Sequence, residues 1–167
     1  LMLAYICAPI TSKMIQRIQT IFLFLVVVLL VSFNFLPYWQ ATTESTGTTY
    51  QLLTYAYVVY EGNETITEFG LYALVAGLSA IGALIALLEM FMYKNRLRQM
   101  TMSVINSFVM TITIALMAYF IYGFQKTTPG QFEPGAFLLA LAMFFNVLAR
   151  RFIQKDEKLV RSVDRIR

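Results

Sequence analysis

The stretch "IQTIFLFLVVVLLVSFNFLPYW", residues 18–39, contains no charged side chain. A helix on the surface of a water-soluble domain keeps a polar stripe toward solvent. Wound as a helix, residues 18–39 present apolar side chains in every direction, so their natural solvent is lipid. A hydrocarbon core takes roughly 20 such residues in helical form. Three further stretches meet or approach that length: 69–93, with Glu89 as its only charge, 102–124, with none, and 132–149, with Glu133 near one end. The fourth is the shortest, and flanking charged side chains that reach to the headgroups make up its length. A soluble bundle can hide one helix that is apolar all round, but not three among four.

The whole chain has the same character. Of 167 residues, 59% are hydrophobic and 13% charged, against about 25% charged in a soluble domain. Histidine is absent and Cys7 is the single cysteine, which rules out a disulfide within the chain.

Charge placement gives the orientation. Lys13 and Arg17 precede the first span, and Lys94, Arg96 and Arg98 fill the link between the second and third. Arg150, Arg151, Lys155, Lys158, Arg161, Arg165 and Arg167 follow the fourth. Twelve of the 13 basic residues therefore share one side, and only Lys126 is on the other. Lysine and arginine stay in the cytoplasm during insertion. The expected location is the bacterial inner membrane, with both termini cytoplasmic and loop 40–68 periplasmic. The periplasmic side would carry Glu44, Glu61, Glu64, Glu68 and Glu133.

Arg150 and Arg151 mark the inner headgroup layer, with Lys155 and Lys158 continuing the basic membrane surface. Beyond them Phe152, Leu159, Val160, Val163 and Ile166 fall near one helical face, with charges between. Such a tail, 152–167, is a basic amphipathic helix resting on anionic lipid. Equally, it is a solvated extension of the fourth span, or a helix packed on the chain's own cytoplasmic loop.

Within 40–68, "QATTESTGTTY" has loop composition, whereas "YQLLTYAYVVY" and "ETITEF" are β-branched and aromatic and flank the turn residues "EGNE". One small β-hairpin on the outer face is expected there. The fold class expected is therefore all-α integral membrane: a four-transmembrane-helix bundle over 1–151, an outer hairpin and a cytoplasmic tail helix.

Candidate chemistry is sparse. Glu89 is the one charge within a span and reads either as a proton or cation site or as an interfacial carboxylate paired with nearby bases. Asn34, Asn106 and Asn146 are the polar groups of the first, third and fourth spans, serving as interhelical glue or lining a path. Ala73, Gly77 and Ala80, with Gly82 close by, form a small-residue face where a helix of this chain or of another protein can approach. The sequence shows no histidine, cysteine pair, glycine-rich phosphate loop or pair of carboxylates at depth. No catalytic, cofactor-binding or metal site is expected, and an enzyme is not. The mixed charges of the tail suit a membrane surface rather than nucleic acid. Expected partners are the bilayer and either another membrane protein or further copies of the chain.

Four motifs carry a resemblance: "MIQRIQTIFL" from Met14, "FLPYWQ" from Phe35, "KNRLRQ" from Lys94 and "RRFIQKDEKLVRSVDRIR" from Arg150. With them, Met14 to Arg167 resembles an uncharacterised family of four-helix inner-membrane proteins from Bacteroidetes-type bacteria. The resemblance implies topology and source but no activity, and it points to Met14 as the usual start. The function expected is an accessory or scaffolding subunit of a larger membrane complex. Its rivals are a small homo-oligomeric transporter or channel, with Glu89 and the asparagines along a path, and a lipid-binding regulator acting through the tail.

Overall fold

A computed structural model describes the backbone of residues 2–43, 45–93 and 95–164, and the side chains of 18–43, 45–93 and 95–158. Among the described residues four helices form: α1 (Met2–Phe33), α2 (Ala73–Phe91), α3 (Arg96–Gln125) and α4 (Pro134–Asp164). Each of α1 and α3 packs against both α2 and α4. Of these, α2, α3 and the 134–158 part of α4 are long and apolar enough to cross a membrane, and Ile18–Phe33 is a shorter apolar helix.

Local chemistry sets the helix ends. Pro37 cannot continue α1, so the chain leaves the helix before it. The Asn95 side chain accepts from the Arg98 N–H at 3.3 Å and caps α3, meeting one of the otherwise unpaired first-turn donors. Pro134 opens α4, where its missing N–H costs nothing.

The all-α expectation is corrected. Five strands, β1 (Trp39–Thr43), β2 (Thr48–Leu52), β3 (Ala56–Glu61), β4 (Glu64–Phe69) and β5 (Gln131–Phe132), form one sheet in the order β4-β3-β2-β1-β5. Every pairing is antiparallel. The expected hairpin is its β3–β4 unit, turned at Gly62 with φ +59°. Most of β1 and the start of β2 come from residues expected to be loop. The threonines of "QATTESTGTTY" are β-branched and fit a pleated surface, and Gly47, with φ +67°, turns β1 back on β2. Trp39, assigned to the end of the first span, is the first residue of β1 instead. The second partner of β1, β5, comes from the α3–α4 connection and pairs Trp39 with Phe132.

Connectivity puts the sheet at the α1 C-terminus, where α2 begins, α3 ends and α4 begins. An aromatic layer joins it to the helices. The Tyr57 ring lies 4.6 Å from Phe124, and Tyr72 meets Phe120 at 5.1 Å. Trp39 and Tyr38 are buried beneath the sheet. A methyl on Gly130 would collide with the Trp39 ring and lie 2.6 Å from the Gln40 carbonyl. That contact explains why the β5 connection passes through glycine.

At the other end α4 runs unbroken through Arg150 and Arg151, so its tail extends the span. Phe152 stacks on Phe22 at 5.4 Å, and Ile153 and Asp156 are buried. Arg96, at the start of α3, pairs with Asp156 at 3.0 Å. The tail thus packs on its own chain as far as residue 158. The side chains of Leu159, Val160, Val163 and Ile166 lie outside the described residues, as do Lys94, Glu44 and the side chains of Lys13, Arg17, Arg161, Arg165 and Arg167.

Candidate functional site

Two layers of polar groups lie inside the helical region, apart from Gln19 and Thr113. Near the sheet, the Asn34 amide donates to the Leu30 carbonyl at 2.8 Å, and its Oδ1 accepts from the Ser79 hydroxyl at 2.9 Å. That hydroxyl also lies 2.9 Å from the Ala76 carbonyl. The Thr54 hydroxyl reaches the Asn34 carbonyl at 3.4 Å, and the Thr54 carbonyl accepts from the Ala76 N–H at 3.2 Å. These bonds lock α1, α2 and the β2–β3 turn together, so the Asn34 layer is built for packing.

The second layer lies toward the α2–α3 link. Glu89 of α2, Gln99, Ser103 and Asn106 of α3 and Asn146 of α4 are all buried. Gln99 donates its amide to the Glu89 backbone carbonyl at 3.2 Å. Asn146 donates to the Ser103 carbonyl at 3.1 Å and to the Ser107 hydroxyl at 2.9 Å. The Ser103 hydroxyl faces the Glu89 carboxylate, but neither it nor either carboxylate oxygen completes a hydrogen bond of good geometry. Both atoms of the Asn106 amide and the Asn146 Oδ1 also lack partners. Burying an unpaired carboxylate is expensive, and such a group points to function more strongly than a satisfied one.

The predicted site residues therefore separate. Glu89 and Asn146 are joined through Gln99 and Ser103, Asn106 faces Gly82 further along α2, and Asn34 sits at the opposite end of α1–α2 packing. Gln99 and Ser103 are additions that sequence reasoning missed. Their spacing of four residues with Ser103, Asn106 and Ser107 on one α3 face was the available signal. Gly82 belongs to the interior, where a Cβ would sit 3.2 Å from Asn106 Oδ1 and 3.3 Å from Leu30. Ala73, Gly77 and Ala80 face outward, with nothing within 4 Å of a Cβ added at Gly77. The face of α2 that packs inside this chain is Val75, Ser79, Gly82, Ala83, Ala86 and Glu89.

At the basic end, Arg151, Lys155 and Lys158 are exposed and Arg150 is half-buried. Among the described residues, no three His, Cys, Asp or Glu side chains gather to hold a metal. Outside the helices, burial raises the Tyr57 hydroxyl to about 12, aided by Tyr50, Tyr72 and Glu68.

No curated protein matches the chain. The family described as Domain of unknown function (DUF4293) matches residues 15–166. With nearly every residue of the helices and the sheet inside that match, the chain belongs to the DUF4293 family.

Proposed function

We propose that this chain is a non-enzymatic, multi-pass protein of the bacterial inner membrane that serves as an accessory or scaffolding subunit of a larger assembly. The observation that carries this reading is β4. All six of its residues are exposed, and it forms one border of the sheet. It leads through Gly70 into α2, where Ala73, Gly77 and Ala80 are exposed. A free strand edge is a template for another strand, and small residues allow close approach of a second helix. A single partner with an outer extended segment and a membrane span can engage both.

Glu64 and Glu68 lie along this edge. A second copy pairing there would align like charges, which is unfavourable, so the partner is a different membrane protein with basic residues in its outer segment. The orientation follows the charges. Arg96, Arg98, Arg150, Arg151, Lys155 and Lys158 occupy the end opposite the sheet, and Lys126 lies at the sheet end. That distribution fits a periplasmic sheet and cytoplasmic termini.

The homo-oligomeric channel draws less support, because Glu89, Asn106 and Asn146 point into the chain's own interior and not toward a second copy. Photo-crosslinking groups placed at Thr67 and Gly77, followed by extraction in mild detergent, test the reading. Both positions should capture the same second protein. Capture of the chain's own copies alone, or recovery of an unlinked monomer from both positions, would overturn it.

A further inference from the structure

Glu89 is the candidate that the accessory-subunit reading leaves unused. It lies within a span-length helix with 0% exposure, and both carboxylate oxygens lack a hydrogen-bond partner. Of the charged groups on the elements around it, one is paired with an acid, one is exposed at a helix start, and Arg150, within α4, has an unpartnered Nε. Arg96 of α3 pairs with Asp156 of α4 at 3.0 Å. Arg98 is exposed at the first turn of α3, and Arg150 is half-buried on α4. The described part of α1, Ile18 to Phe33, carries no ionisable side chain. A lone negative charge in such a place calls for a positive one.

The neighbouring donors indicate its kind. Ser103 faces the carboxylate, Asn146 binds the Ser103 carbonyl at 3.1 Å, and Asn106 is the next buried polar residue along the same α3 face. Their unpartnered oxygens, Ser103 Oγ, Asn106 Oδ1 and Asn146 Oδ1, are buried. Neutral oxygens together with a carboxylate are the ligands of a hard cation. One carboxylate matches one positive charge, the chain has no histidine, and no three acidic or cysteine side chains gather among the described residues. The Asn34 amide, by contrast, both donates and accepts.

We propose that Glu89 is the centre of a small monovalent-cation site, where a proton or a sodium ion neutralises the carboxylate beside Ser103, the residue whose carbonyl Asn146 binds. Binding of a proton forms one O–H bond on the carboxylate. Binding of sodium places the ion among oxygens without any covalent change. In both cases the site stands independently of the partner at β4.

Infrared difference spectra of the full chain in liposomes test this, with Glu89→Gln as the reference. In sodium-free choline buffer the wild type should show a protonated carboxyl band that Glu89→Gln lacks. For a proton site the protonated population falls about tenfold for each pH unit once Glu89 is ionised, with or without sodium. For a sodium site the band disappears at constant pH when sodium chloride, but not choline chloride, is added. Ser103→Ala should shift the band's frequency, which keeps the assignment testable if Glu89→Gln fails to assemble. If the carboxyl and carboxylate bands of the wild type ignore both pH and sodium, or are unchanged in both variants, the proposal is overturned.

Discussion

Two asparagine layers cross the same set of helices and behave oppositely. At the sheet end, Asn34 both donates and accepts, at 2.8 Å and 2.9 Å, and ties α1 to α2. At the other end, Asn106 makes neither bond, although its exposure is 0%. The same residue type is glue in one layer and an unpaired amide in the other. Polar residues in a span are therefore not one category. Their partners decide whether they hold the fold together or strain it, since an orphaned buried group costs more than a made bond returns.

The sheet end should be the more fragile. Gly130→Ala forces a methyl against the Trp39 ring and the Gln40 carbonyl, and overpacking at backbone should cost about 3 kcal/mol. Thermal unfolding in detergent should show a larger loss for this substitution than for any change in the two asparagine layers. A wild-type midpoint would mean that the β1–β5 corner is loose.

Asn34→Leu removes the Leu30 and Ser79 bonds and should destabilise by about 1–2 kcal/mol. Asn106→Leu, similar in volume change but deleting only unpaired atoms, should leave stability unchanged or raise it by up to about 1 kcal/mol. The pair is best measured side by side. Equal losses at both positions would erase the distinction between the layers.

The smallest effect expected is a pH response at the sheet. The Tyr57 hydroxyl titrates at about 12 in the folded chain because it is half-buried and faces Tyr50, Tyr72 and Glu68. An unfolded tyrosine releases its proton near pH 10. Between those values the unfolded chain has lost a proton that the folded chain keeps, so stability should fall as pH rises from about 10 to about 12. Below that window Tyr57 adds no slope. Tyr57→Phe should flatten the decline in a series of unfolding midpoints.

Much of this molecule could be read from its residues one window at a time. Runs such as "FLFLVVVLLV" need no partner to declare their solvent, and Pro37 and Pro134 mark helix boundaries by their own geometry. The β3–β4 hairpin was also legible, since β-branched strands flank the Gly62 turn. The β1–β2 pairing was not. Threonine, serine and glycine in "QATTESTGTTY" serve loops and edge strands alike, and only the neighbouring backbone selects between them. A two-residue strand such as β5 leaves almost no local signal.

The rotation of α2 was equally hidden. Ala73, Gly77 and Ala80 form a small-residue stripe, but so do Gly82, Ala83 and Ala86, and the structure turns the second set inward. With small residues around most of the helix, periodicity had no contrast from which to choose a face.

By itself the sequence determined the apolar helical segments, the asymmetry of lysine and arginine, and the poverty of reactive side chains, because each depends on transfer between water and lipid of the residues concerned. Only tertiary structure decided that residues 39–69 and 131–132 close into one five-stranded sheet, that Arg96 is engaged by Asp156, and that the Glu89 carboxylate is buried unpaired. Those outcomes depend on which distant groups meet, and hydrogen bonds and charge pairs are made across the chain, not along it.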